Sequence, residues 1–357
     1  MINPWRGNGL PKSALLAEGG IATDGAGPRS LFQACPKAAA TPLESRPDLA
    51  AELCIGALYL KDERGRMGLG SFKALGAAYA IAKEADRLVQ SGTARSHENA
   101  LSGRTYVCAS AGNHGLSLAA GAPLFGAKAA VFIADTVPEA FAERLRAKGA
   151  AVVRSGSTYE ESMAEAGRQA AENGWELLPD STWPGMTRPG HDVMEGYLIM
   201  GDEVVGQVPQ APTHVFLQAG VGGLAAACAA SARAAWGDDV CIIIVEPKAA
   251  PALLDSIKAG EPVIAPGPVS NMGRLDCKEP SHLALKYLAK EADGFVTISD
   301  TEARETADWL GGKDLATTPS GAAGVAALRH GGAQLSGFGL TPQSRVLCYL
   351  SEGPEDV

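Results

Sequence analysis

The chain has 357 residues, 46% hydrophobic and 20% charged, enough for two sizeable cores or one divided one. A formal net charge of -9 with no basic patch argues against nucleic acid and anionic membrane as partners, and no apolar run is long enough to span a bilayer. Seven scattered cysteines without a CxxC read as buried reduced thiols of a cytoplasmic protein with no disulfide, and six histidines without HxH or HExxH spacing leave a protein-held metal unsupported.

Residues 1–29 lack a charged-then-apolar pattern and read as an irregular arm. Strands and Ala-rich helices then alternate. The first strand is expected at Ala57–Lys61, followed by a helix at Phe72–Ser91. Strand Thr105–Ala109, helix Gly115–Leu124, strand Ala129–Ile133, helix Glu139–Lys148, strand Ala151–Arg154 and helix Tyr159–Asn173 follow in order. After Leu178–His191, too rich in Gly and Pro for a regular element, come strand His214–Gln218, helix Gly223–Trp236 and strand Cys241–Glu246. A second irregular stretch, Ala259–Pro280, precedes helix Pro280–Glu291 and strand Phe295–Ser299. Helices Asp300–Gly311 and Gly321–Gly332 and strand Val346–Leu350 complete the chain, with Thr301, Glu302 and Glu305 after Ser299-Asp300 suggesting a capped helix start. Several strands are continuous apolar runs, as strands buried on both faces of a parallel sheet are, so the fold class is an open α/β architecture.

Five segments can carry chemistry. Lys73, in an apolar and small-residue setting (GLGSFKALGAAYAIA), sits at a helix start. There burial and the helix dipole both lower a lysine's pKa, as a Schiff-base lysine needs; a solvated surface lysine is the plainer reading. Ser110-Ala111-Gly112-Asn113-His114-Gly115 joins a strand to a helix, so its N–H groups suit a carboxylate and Asn113 a ring hydroxyl, though an ordinary βα turn fits equally. Gly220-Val221-Gly222-Gly223-Leu224 is a strand–glycine–helix cradle for a phosphate. With Glu246 ending the next strand, it is also close to a dinucleotide fingerprint. Ser351, after the last strand, puts a neutral hydroxyl at the sheet's C-terminal edge, where it suits a pyridine nitrogen; a capping turn is the alternative. Asp180, in LPDSTW, is a candidate general base, or a common turn aspartate.

These five elements, in this order, resemble the fold-type II enzymes of pyridoxal 5'-phosphate, whose fold is that of the tryptophan synthase β subunit: two open, mostly parallel twisted sheets flanked by helices. The likeness runs from about Thr41 to Gly353. Within that group, LYLKDERGRMGLGSFKALGAAYAI (58–81), LPDSTW (178–183), Met194-Glu195-Gly196-Tyr197, Met272–Pro280 and the terminal SEG are similar to diaminopropionate ammonia-lyases. The resemblance implies Lys73, beside Phe72, as the Schiff-base residue, Gly220 to Leu224 around the phosphate, and Asn113 on the ring hydroxyl. It also implies Ser351 on the pyridine nitrogen, Ser110 to His114 on the substrate carboxylate and Asp180 as an acid/base group.

The implied reaction is an α,β-elimination on a short β-substituted amino acid such as 2,3-diaminopropionate, giving a keto acid and ammonia. A serine/threonine-type dehydratase is the alternative, with a β-replacement synthase and a nucleotide-binding dehydrogenase or sensor behind it. Where the ammonia-lyases carry an aspartate associated with the D-substrate, this chain has Ala111, so an L-configured substrate is expected. The expected division is 1–80 and 178–357 in a large cofactor-binding domain and 81–177 in a small mobile one, with a homodimer on general grounds.

Overall fold

The computed structural model describes residues 1–354. Its ten strands are β1 (Leu43–Ser45), β2 (Ala57–Asp62), β3 (Thr105–Ala109), β4 (Lys128–Ile133), β5 (Ala151–Arg154), β6 (Glu176–Leu177), β7 (His214–Gln218), β8 (Cys241–Pro247), β9 (Gly294–Ile298) and β10 (Arg345–Leu350). Six form one sheet in the order β1-β2-β10-β7-β8-β9, and four form a second in the order β5-β4-β3-β6. Only β1 runs antiparallel to its neighbour; every other pairing is parallel. The larger sheet is thus built from both ends of the chain and the smaller one from residues 105–177.

The continuous apolar runs are buried on both faces, and alternation survives inside them. Val215 and Leu217 of β7, Ile242 and Ile244 of β8, and Leu347 and Tyr349 of β10 face one core. Phe216, Ile243, Val245, Val346, Cys348 and Leu350 face another. Period-two geometry sends successive side chains to opposite faces, and parallel crossovers put helices on both. The first core is shared by the two sheets, since Cys108, Val131 and Ile133 of the smaller one belong to it. Val107, Ala109, Ala130 and Phe132 turn outward onto helix Tyr159–Asn173. The cleft between the sheets is therefore floored by one continuous apolar body.

Strand positions agree with the apolar runs to within one residue at either end. Two strands carry too little pattern to be read: β1, three residues long, and β6, two residues long. Helix Tyr159–Asn173 opens on a capping box from Thr158 to Glu161, and helix Asp300–Gly311 on one from Ser299 to Glu302. The N-terminal arm is pinned, not loose: Ile2 bridges Gly294 on the edge strand β9, and Asn3 Nδ2 donates to Ala289 O and Ala292 O. A helix, Ala26–Gln33, begins inside it.

The expected irregular stretch 178–191 ends early, because helix Arg188–Gly196 starts within it and helix Leu198–Gln207 follows. Pro189, Gly190, Gly196 and Gly201 hide that helicity from propensity. The three glycines are needed for close approach: a Cβ on Gly196 would lie 2.1 Å from Leu75 O, and one on Gly201 2.4 Å from Ser231 Oγ. The expected helix Phe72–Ser91 is a 3-10 turn, Phe72–Leu75, followed by an α-helix, Ala77–Gln90, which runs across the expected domain junction at residue 80. No helix among the described residues is long and apolar enough to cross a membrane.

Candidate active site

Lys73 lies on the 3-10 turn that follows β2, and its approach is stitched to the end of β10. Phe72 N–H donates to Ser351 O at 3.0 Å, Gly353 N–H donates to Gly70 O at 2.9 Å, and Ser71 pairs with Glu352 as an antiparallel bridge. Gly70 enters this turn at φ +82°, a conformation that favours glycine. Phe72 and Tyr197 meet edge to face, with ring centroids 4.9 Å apart, and both rings flank the Lys73 Nζ, at 5.4 and 5.8 Å.

Asp180 arrives from the segment after β6, and its Oδ2 accepts from Lys73 Nζ at 2.5 Å. The two side chains keep 18% and 23% of their surface, so the pair is open to small molecules. Burial pulls the Lys73 pKa down, but the Asp180 carboxylate outweighs it and holds the ammonium above its usual range. The expected lowering is therefore reversed, by a group 107 residues away in the chain. Burial likewise pushes Asp180 up, and Lys73 with His114 pulls it further down, leaving it well below the usual carboxylate range.

The loop 110–115 folds on Ser110, whose Oγ accepts from the N–H of Gly112 at 3.2 Å and of Gly115 at 3.1 Å. Asn113 donates from Nδ2 to Glu352 Oε2 at 2.5 Å, joining the two sheets. Ala111 is exposed. His114 is buried with Nε2 on Leu178 O at 2.8 Å, and burial lowers its pKa, so the ring stays neutral and packs towards the Asp180 segment.

The glycine loop ends on Gly222, φ +100°, which opens helix Gly223–Trp236 with no side-chain cap. A Cβ on Gly220 would come within 2.9 Å of Cys277 Sγ, and one on Gly223 within 3.2 Å of Met194 Cγ, so only glycine leaves this cradle clear. Val221 and Leu224 complete it, and residues 223–232 of the helix are buried throughout. An uncapped helix N-terminus behind a bare glycine loop suits a phosphate. Ser351 Oγ accepts from Gln218 Nε2 at 3.2 Å, and the same amide nitrogen donates to Tyr349 O at 2.9 Å. With the amide nitrogen as its donor, the Ser351 hydroxyl keeps its own hydrogen for an aromatic nitrogen acceptor.

Glu246 does not serve the dinucleotide reading. It is fully buried, and its two oxygens accept from the N–H groups of Leu253 at 2.7 Å and Leu254 at 2.8 Å, the start of helix Ala252–Ala259. No oxygen of it is left for a ribose. The cluster His191, Asp192 and Glu195 is met by the ammonium of Lys83, which bonds both carboxylates.

Residue reasoning missed Tyr197, Glu352 and Tyr159. Tyr197 is fully buried with its hydroxyl unpartnered, and its pKa is pushed up to about 12 by burial first. Tyr159 is half-exposed at the start of its helix, and burial of its hydroxyl followed by the charge of Asp180 raises its pKa. Glu352 was visible only as a charge directly after an apolar strand. Cys277, seen by resemblance alone, lies against Gly220 of the glycine loop, and burial pushes its thiol up to about 12.

A glycine cradle at a helix start, a hydroxyl with a spare hydrogen and a partly exposed lysine are the groups an aldehyde cofactor with a phosphate needs. Residues 36–352 match the family described as pyridoxal-phosphate dependent enzyme, and the chain belongs to that family; its cofactor is pyridoxal 5'-phosphate. Within it, the chain is similar to carbon–nitrogen lyases. It is 31% identical to the diaminopropionate ammonia-lyase of Salmonella typhimurium over 74% of this chain and 70% of that one. It is 30% identical to the Escherichia coli K12 diaminopropionate ammonia-lyase over 89% of this chain and 85% of that one. The E. coli enzyme solved with an aminoacrylate-PLP azomethine reaction intermediate superposes with a TM-score of 0.86 and 26% identity, covering 99% of this chain and 93% of that one. The same enzyme is also solved with D-serine, at a TM-score of 0.86.

Proposed function

We propose that the chain eliminates ammonia from L-2,3-diaminopropionate, giving a keto acid. The observation that carries this reading is the Asp180 carboxylate at 2.5 Å from Lys73 Nζ, both side chains partly exposed. Lys73 would hold the cofactor through its ε-nitrogen, residues 220–224 its phosphate, Ser351 its ring nitrogen and Asn113 its ring hydroxyl, with Phe72 beside it. Bound there, the cofactor supplies the electron sink that acidifies an amino acid's α-hydrogen and lets a β-substituent depart.

Once the Lys73 nitrogen is committed to the cofactor it no longer neutralises Asp180. A partly buried carboxylate left without a cation is disfavoured, so the site favours a substrate that brings one. The β-ammonium of diaminopropionate does so, and a β-hydroxyl does not. Asp180 Oδ2 would hold that ammonium protonated, so that the C–N bond breaks with its electron pair on nitrogen and neutral ammonia leaves. The freed Lys73 Nζ would receive the α-proton, and the N–H groups of Ala111, Asn113 and His114 would orient the carboxylate, those of Ser110 and Gly112 being held by Phe132 O and Ser110 Oγ. Ala111 offers no acid on the opposite loop, which supports the L-configuration. The unit around the smaller sheet, roughly 81–177, would close on the substrate. A cytoplasmic homodimer remains the expectation, on the scattered thiols and the commonness of two-fold dimers.

The test is keto-acid release by the purified holoenzyme from L- and D-2,3-diaminopropionate, L-serine and L-threonine. We expect kcat/KM for L-diaminopropionate to exceed that for L-serine by about tenfold or more, the scale of one unpaired buried charge. Asp180→Asn should shrink that ratio towards one. Equal use of L-serine by the wild type, with a ratio unmoved by Asp180→Asn, would instead favour the dehydratase. A Lys73→Ala protein should lack the yellow absorbance of covalently held cofactor.

A further inference from the structure

Glu352 is 5% exposed, and four separate chain segments converge on it. Its backbone pairs with Ser71, two residues before Lys73, and its carbonyl accepts from Thr317 Oγ1 at 2.6 Å. Its Oε1 accepts from Thr318 Oγ1 at 2.5 Å, the residue that caps helix Pro319–His330. Its Oε2 accepts from Asn113 Nδ2 at 2.5 Å and lies 3.7 Å from Arg274 Nε. Arg274 in turn lies over the substrate loop, since a Cβ on Gly112 would come within 3.3 Å of its Nε.

We propose that Glu352 is a positioning residue that locks the loop 110–115 of the smaller sheet against the Lys73 turn of the larger one. The physical case is one of geometry. A carboxylate this buried requires donors on both oxygens, and it takes them from different sheets. Two rigid bodies that share one apolar floor can still slide or open at the rim. A charge-assisted bond at the rim fixes their register where Asn113 meets the residue bridged to Ser71, two positions before Lys73. Thr318 and Arg274 hold the carboxylate from the larger sheet's side, so the Asn113 amide is the member free to engage or release. No other side-chain hydrogen bond of Asn113 is formed among the described residues, so its orientation depends on Glu352. The consequence for the cofactor rests on the role given to Asn113 above; the lock itself does not.

The experiment uses the full-length enzyme and its Glu352→Ala, Glu352→Gln, Asn113→Ala and double Glu352→Ala/Asn113→Ala variants. Deuterium uptake is followed at residues 110–115 and, for comparison, in β7 and β8. The dissociation constant for pyridoxal 5'-phosphate is read from its absorbance. Glu352→Ala should speed exchange at 110–115 and weaken cofactor binding, each by about tenfold, the scale of one lost charge-assisted hydrogen bond. Glu352→Gln, which keeps one acceptor oxygen, should fall between it and the wild type, and exchange in β7 and β8 should not change. In the Asn113→Ala background, Glu352→Ala should add less than about twofold to the loss of cofactor affinity. Unchanged exchange at 110–115 in Glu352→Ala, or effects that multiply in the double variant, would overturn the proposal. If Asn113→Ala alone binds cofactor as the wild type does, the role of Asn113 at the ring fails, and loop exchange still decides for or against Glu352.

Discussion

At Lys73 two opposing effects meet, and their balance shows how local sequence can mislead. Burial and the helix start favour a neutral amine, yet Asp180 at 2.5 Å keeps the ammonium. Glu246 shows the reverse outcome. Two N–H donors favour its anion, but complete burial prevails and pushes the carboxyl up to about 8 from 4.5. Between those values the folded chain binds the proton more tightly than the unfolded one, so folding stability falls as pH rises through that window. Glu246→Gln removes this titration. Urea unfolding at pH 5 and pH 8 should show a stability loss smaller in the variant than in the wild type, by on the order of 1–3 kcal/mol. An equal loss in both would mean that the two N–H groups hold Glu246 ionised at neutral pH.

Among the elements, helix Arg188–Gly196 shows how packing overrides propensity. Gly196→Ala would gain about 1 kcal/mol of intrinsic helix preference. Its Cβ, however, would lie 2.1 Å from Leu75 O and 2.8 Å from Tyr79 Cβ, and the backbone carbonyl of the Lys73 turn cannot rotate away. Overpacking costs roughly 1–3 kcal/mol or more and wins, so the variant should be destabilised by thermal melting and should also lose cofactor affinity through the displaced turn. A more stable variant would show that the two segments are further apart in solution. The caps illustrate the opposite case, where local rules suffice: a capped start near Thr301 was readable because such bonds span only three residues, and the structure puts the cap on Ser299 with Glu302.

Across the whole molecule, a buried ionic network ties the Lys73 approach to helix Leu198–Gln207. Glu203 accepts from Lys61 Nζ at 2.7 Å and from Arg66 Nη2 at 2.7 Å, and Arg66 also pairs with Glu63. Lys61 and Arg66 have no exposed side-chain surface. Glu203→Ala would leave Lys61 without its carboxylate and remove one of two from Arg66. We expect a loss of about 3–5 kcal/mol in chemical denaturation, far beyond that of a surface pair such as Lys258–Asp255. A loss below about 1 kcal/mol would mean that water reaches the network. The same long-range logic separates the two sheets: β2 and β10 are neighbours although almost the whole chain lies between them.

Much of this was legible without coordinates. Apolar runs such as His214–Gln218 and Cys241–Pro247 announce themselves, because a strand buried on both faces tolerates little else. The glycine loop, the GSFK turn and the Ser351 edge could be read because each is a contiguous segment whose backbone geometry restricts the residues it can hold. What only the tertiary structure decided are the relations between segments far apart in the chain: the Lys73–Asp180 ion pair, the spending of Glu246 on a helix start, the glycine-rich helices after residue 187, and the junction at Glu352. Propensity and spacing act over a few residues, whereas charge balance, desolvation and close approach are set by whichever distant atoms the fold brings near.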